Sequence, residues 1–133
     1  MDGTIKEEVS RRADYRCEYC HLPQAYVLTP FQIEHVVAKQ HQGQARSSNL
    51  AYACLHCNLH KGPNLSGIDP KTKKLTRLFN PRRHLWSKHF VLNGALLFGK
   101  TAVGRTTIEV LAINEPTRSA VRQELIDQGL LPP

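Results

Sequence analysis

Acid is what the middle of this sequence lacks. Between Glu34 and Glu109 the only carboxylate is Asp69, and residues 71–105 hold nine Lys or Arg and no acid at all. Over the 133 residues the formal charge is +7, with seven His titrating near neutrality on top. An acid-free basic block of this kind is the footprint of a polyanion binder, a merely solubilising basic surface being the plainer alternative. Aromatics are also scarce, at 7% with a single Trp, so the core is modest even though 41% of residues are apolar. The length excludes a large multi-domain machine. Long apolar runs are missing: stretches such as Gly94 to Phe98 fall far short of the roughly 20 residues that span a bilayer. The N-terminus shows no basic-then-apolar leader pattern. The expectation is a soluble, cytoplasmic protein with no membrane partner.

Cysteine is sparse but patterned. Cys17 and Cys20 stand in C-E-Y-C, Cys54 and Cys57 in C-L-H-C, with 33 residues between the pairs. Four thiolates in two such knuckles can close a tetrahedron around zinc. Two disulfides compete with that reading, but without a secretion signal thiols stay reduced, and a bridge within C-x-x-C closes only a tiny loop. The expectation is structural Zn2+ held by Cys17, Cys20, Cys54 and Cys57. His21, His56 and His60 lie nearby, yet a complete Cys set needs no substitute. Four protein ligands leave no open coordination position, so any chemistry must lie elsewhere.

Along the chain, Ile5, Val9 and Ala13 recur at i, i+4 and i+8, which predicts a short amphipathic helix over 4–13 that delivers the first knuckle. Tyr26 to Val37 is β-branched and aromatic, broken by Pro30, and reads as extended chain with Glu34 and His35 near its end. A polar loop from His41 to Ser48 follows, and Asn49 opens an apolar run into the second knuckle. After Gly62-Pro63 about ten residues read as loop. Asn93-Gly94 between two apolar runs predicts a hairpin, FVL-NG-ALLF. Thr101 to Ile113 reads as a helix, and Asn114 followed by Pro116 predicts a cap on a last helix that Gly129 ends, with Val121 and Leu125 facing the core. Trp86 reads as a core residue rather than a base-stacking platform.

Glu34-His35, then Asn49, then C-x-x-C-N-x-x-K-G at 54–62, in this order inside two zinc knuckles, resembles the HNH endonucleases of the ββα-metal superfamily. The tail, with N-P-R at 80–82, W-x-x-H-F at 86–90 and G-R-T-T-I-E at 104–109, is similar to the extension of a bacterial HNH group. The resemblance implies an α+β fold: a small ββα core stapled by the four-cysteine zinc site over 1–70, and a basic extension over 71–133 with a β-hairpin and two helices, packed as one compact unit. It implies hydrolysis of DNA phosphodiester bonds leaving a 5′-phosphate and a 3′-hydroxyl. His35 is then the general base, Asn49 braces the loop that carries it, and Glu34 and Asn58 bind a catalytic Mg2+ or Mn2+, an H-N-N variant of the pattern. The chemistry agrees, since an imidazole suits deprotonation of water near neutrality and hard oxygens suit a divalent cation. Glu34 stands where Asp is commonest, Ala38 where Pro is frequent, and Gly43-Gln44 where Gly-Gly is frequent. Lys61, Lys71, Lys73, Lys74, Arg77, Arg82, Arg83 and Lys88 are the expected contacts to DNA, duplex in form, with a monomer nicking one strand or a homodimer cutting two. The alternative is a zinc-knuckle module that binds DNA without cutting it. That alternative leaves unexplained an acid beside His35, which repels phosphate unless a cation neutralises it. A Cys-His hydrolase fits poorly because zinc claims every cysteine.

Overall fold

The structure, a computed structural model, describes residues 3–132. Two compact units divide the chain: one runs to Leu65 and is rejoined by Asn80–His84, the other comprises Ser66–Phe79 and the chain from Leu85 on. The division thus falls at Leu65, ahead of the expected 70/71 boundary, because residues 66–68 pair with 75–77 rather than with the first unit. No helix among the described residues is long and apolar enough to cross a membrane.

In the first unit, α1 (Gly3–Arg12) buries Val9 completely and packs on β2. Strands β1 (Gln32–His35) and β2 (Leu50–Ala53) pair antiparallel, with Glu34 opposite Ala51 and His35 opposite Leu50. All four residues of β2 are buried, which makes it the centre of this unit. Helix α2 (Leu55–Lys61) follows at once, capped by Cys54, whose sulfur accepts from the Cys57 N–H, and it packs on β1. The extended stretch is shorter than the sequence suggests. Residues Gln24–Tyr26 form a helical turn, and the Gln24 side chain ties the next turn together by donating to the carbonyls of Val27 and Thr29 and accepting from the Phe31 N–H.

The second unit is α+β as well, mixing short antiparallel pairs with helices. Strands β3 (Ser66–Ile68) and β4 (Leu75–Arg77) form a hairpin where a loop is expected, since three-residue strands with exposed Ile68 and Leu75 leave little alternating signal. A short α3 (Trp86–His89) leads into β5 (Phe90–Asn93) and β6 (Leu96–Gly99). That hairpin exists, but its turn is Gly94-Ala95 rather than Asn93-Gly94: Asn93 is itself paired with Leu96. Gly94 takes φ +62 at the first central position, the pattern of a II′ turn that glycine alone adopts freely. Helix α4 (Ala102–Val110) is capped by the Thr101 hydroxyl and packs on β6, β3 and β4. The last helix, α5 (Pro116–Asp127), takes Glu115 as its N-cap. Asn114, the expected cap, instead pairs its amide with both backbone groups of Leu97, at 2.9 and 2.7 Å. Leu125 of α5 is buried as expected, whereas Val121 is exposed and Arg122 takes its place inside, donating to the carbonyls of Ala95 and Ile113. Trp86 packs on Phe90, ring centres 5.3 Å apart, but is only half-buried, at the edge of the core rather than inside it.

Candidate functional site

The knuckles form because each C-x-x-C pair wraps a backbone turn around its first sulfur. Cys20 N–H points at Cys17 Sγ at 3.5 Å and Cys57 N–H at Cys54 Sγ at 3.4 Å. All four cysteines are buried, none is in a disulfide, and their sulfurs lie within 4.8 Å of one another. Zn–S bonds of about 2.3 Å set tetrahedral sulfur edges of about 3.8 Å. Cys20 and Cys54 sulfurs are 3.8 Å apart, so the cluster fits zinc in donor type and number, and along that edge in spacing.

One strand away, β1 and α2 frame a cavity of about 480 Å³ lined by Glu34, His35, Lys39 and Asn58, among others. The expected chemical residues are therefore brought together. His35 Nε2 is buried and has no hydrogen-bond partner. Burial, and then the charge of Lys39, lower the His35 pKa below its ordinary value, so the neutral imidazole dominates at pH 7. Asn49 grips the chain just beyond His35: its Oδ1 accepts from Val37 N–H at 2.9 Å and its Nδ2 donates to the carbonyls of Val37 and Gln44, both at 3.0 Å. The Asn49 carbonyl accepts from Val36 N–H at 2.8 Å. Gly43 closes the same loop, because a Cβ there would overlap the Val37 carbonyl.

Glu34 is placed differently from a free cation ligand. It is 6% exposed; Tyr19 hydroxyl donates to its Oε1, and Lys61 Nζ stands 3.4 Å from its Oε2. Burial raises the Glu34 pKa above the usual carboxylate range, with Lys61 and Tyr19 opposing that shift. Burial also pushes the Tyr19 phenol well up, and the neighbouring Glu34 charge adds to it. Lys61 is 2% exposed and donates to the Val36 carbonyl at 2.9 Å. Two expectations change here. Lys61 does not face a phosphate, because its ammonium is enclosed against Glu34. Glu34 is not an open cation ligand in this arrangement, because Tyr19 and Lys61 already face its two oxygens. Asn58 lines the same cavity.

The remaining expected DNA contacts separate. Lys71, Lys73, Lys74, Arg77 and Lys88 are exposed on the second unit. Arg82 and Arg83 belong to the first, where Arg82 pairs with Glu18 and Arg83 is exposed. Three residues outside the sequence expectations shape the first unit: Tyr19, Glu18 and Arg12. Glu18 and Tyr19 are the two variable positions of C-E-Y-C, and a carboxylate and a phenol inside a buried knuckle are the signal that marks them. The histidines near the knuckle stay off the metal cluster: His60 Nδ1 bonds the His56 carbonyl at 2.8 Å on the surface.

Residues 17–64 match the family model described as HNH endonuclease. No curated protein and no solved structure matches the chain.

Proposed function

Because residues 17–64 match the HNH endonuclease model, we propose that this protein is an endonuclease that hydrolyses DNA phosphodiester bonds with His35 as general base. The observation that supports this best is that His35, its imidazole pKa lowered, and Asn58 line one cavity between β1 and α2. A neutral imidazole can take a proton from water, which then attacks phosphorus and displaces the 3′ oxygen. Asn49 holds Val36 and Val37, and through them the direction in which His35 points. Zinc in the four-cysteine cluster serves as scaffold for both arms of the site. Mg2+ or Mn2+ is the cofactor implied by the resemblance, supplying positive charge to the phosphate and leaving oxygen. Tyr19 and Lys61 already face both oxygens of Glu34, so the steps assigned to this chain are those of His35 and Asn49.

One observation favours the binding-only alternative. The acid beside His35 would repel phosphate without a cation, and Lys61 supplies that cation from within the fold. Supercoiled plasmid separates the two functions. Wild-type protein with Mg2+ or Mn2+ is expected to nick it, and His35→Ala to lose at least about 100-fold in rate, the lower bound for a general base. Equal cutting by both removes His35 from that role. Salt-sensitive binding with no cutting under any divalent cation establishes the binding module instead. Open circles as product indicate a site acting singly, and linear DNA a dimer.

A further inference from the structure

The pentapeptide Asn80–His84 leaves the second unit and folds on the first. It is a tight turn: Asn80 Oδ1 accepts from Arg82 N–H at 2.9 Å, and the Asn80 carbonyl accepts from the N–H groups of Arg83 and His84 at 3.0 and 2.8 Å. Arg82 is anchored on Glu18 of the first knuckle, whose other oxygen accepts from Tyr52 N–H at 2.8 Å. Arg12, in the last turn of α1, donates to the Leu50 carbonyl at 2.7 Å and to the Ser47 hydroxyl at 3.0 Å. Between these elements lies a cavity of about 680 Å³ lined by Arg12, Ser47, Ser48, Pro81, Arg82 and Arg83.

Three arginines line one cavity, and two of them, Arg12 and Arg82, repel each other. The Arg12 pKa is lowered by burial and then by the charge of Arg82. Two carboxylates lie close: Glu18, already engaged by Arg82, and Glu8, which accepts from the Ser47 hydroxyl at 3.0 Å. The balance stays positive. Arg82 pairs through a terminal nitrogen with Glu18, while its Nε is enclosed without an acceptor, so part of the guanidinium's donor capacity is unmet within the fold. Arg83 is exposed at the rim. Guanidinium forks match phosphate oxygens in pairs, which a sulfhydryl, amine or apolar ligand does not exploit. Position matters too. Arg12 holds Leu50, the residue registered opposite His35 in the β1–β2 pair, and neighbouring strands are about 4.8 Å apart. The cavity therefore borders the strand next to the one that carries His35. Its three arginines all lie outside the segment that matches the HNH family, residues 17–64.

We propose that Arg12, Arg82, Arg83 and Ser48 form a phosphate-binding pocket that takes a backbone phosphate of the nucleic acid whose scissile bond lies at His35. This rests on the nucleic-acid reading above and adds to it the place where a non-scissile phosphate is gripped. Its role is to fix the strand's register on the first unit, with no part in proton transfer.

Binding of the zinc-loaded 133-residue chain to a short labelled duplex, in buffer without Mg2+, Mn2+ or chelator so that the cluster keeps its zinc and no cutting occurs, measured by anisotropy across a salt series, tests it. Arg83→Ala and Arg12→Gln are each expected to reduce the slope of log affinity against log salt by about 1. Arg83→Lys keeps the charge and loses the fork, so the slope stays while affinity falls several-fold. Lys6→Ala, an exposed charge on α1 outside the pocket, is expected to leave the slope as it is. In an isotope-labelled sample the Arg82 Nε–Hε resonance is expected to shift on adding duplex, and on adding inorganic phosphate at higher concentration. Unchanged slopes in both arginine variants together with a static Arg82 resonance overturn the pocket. If those variants bind normally while the wild type still cuts plasmid, the pocket fails and the nuclease stands. Pocket-dependent binding without cutting keeps the pocket and removes the nuclease. A wild type that binds no duplex overturns both.

Discussion

Glu34 and Asp69 are the two carboxylates retained by the basic middle of the chain, and both are buried against a cation. For Glu34 the cation is Lys61, which the fold encloses with it, and the pair joins β1 to α2 beside His35. Removing one partner leaves the other charge uncompensated in the interior. Lys61→Met is therefore expected to destabilise the protein by about 3–5 kcal/mol in urea unfolding, and Lys61→Met combined with Glu34→Gln by much less, because no lone charge remains. Additive losses in the double variant would show that the two side chains do not act as a pair. Glu34 is legible in the sequence as a residue with chemistry because it adjoins His35. Its partner is not, since nothing along the chain links position 34 to position 61. The N-x-x-K spacing contains half of the answer, for Asn58 and Lys61 lie three apart on one helical face and so look toward the same strand.

At the scale of elements, the knuckles and α1 follow from local pattern, and the short strands do not. Strands β3 and β4 are three residues each, too short for alternation to register, and their pairing is locked from outside by α4. The lock is Asp69 at the end of β3. Arg105 of α4 donates to it through Nε at 3.0 Å and through a terminal nitrogen at 2.9 Å, with Thr72 hydroxyl and Lys71 N–H completing the set. Arg105 above all holds the Asp69 carboxyl well below the usual carboxylate range. A carboxyl with a lowered folded-state pKa binds its proton more readily when unfolded. Its stabilisation is therefore complete above the ordinary Asp value and is lost as the pH falls toward the lowered one. Urea midpoints measured from neutral pH into acid are expected to drop below pH of about 4, and Asp69→Asn to begin lower at neutral pH but fall less steeply. Parallel curves for the two proteins would dissociate the hairpin lock from its charge. The turn of the β5–β6 hairpin teaches the same lesson in register. Asn93-Gly94 marks the place correctly to one residue, but cross-strand pairing puts Asn93 in the ladder and leaves Gly94-Ala95 to turn.

Over the whole molecule, the lone acids of the 34–105 stretch are consumed inside the fold, so the exposed charge of that stretch is more uniformly positive than its composition states. The basic residues do not form one face on one unit. Arg82 and Arg83 join Arg12 on the first, while Lys71, Lys73, Lys74, Arg77 and Lys88 stand on the second. The four-cysteine cluster is the junction on which the first unit depends, since Glu18 and Tyr19 reach from the knuckle to Arg82 and Glu34. Metal analysis is expected to find one zinc per chain, and a strong chelator at neutral pH to unfold the first unit, seen as loss of its amide dispersion. Four thiols that alkylate freely in the folded protein would rule that zinc out. By itself the sequence determined the cysteine tetrad, the Glu34-His35 and Asn58 constellation and the excess of positive charge, because these depend on residue type and short spacing. The tertiary structure alone decided that Lys61 neutralises Glu34, that Asp69 locks a hairpin, and that three arginines from distant segments surround one cavity. Those outcomes depend on which side chains burial forces together, and a desolvated charge selects its partner through space, at separations along the chain that no local pattern records.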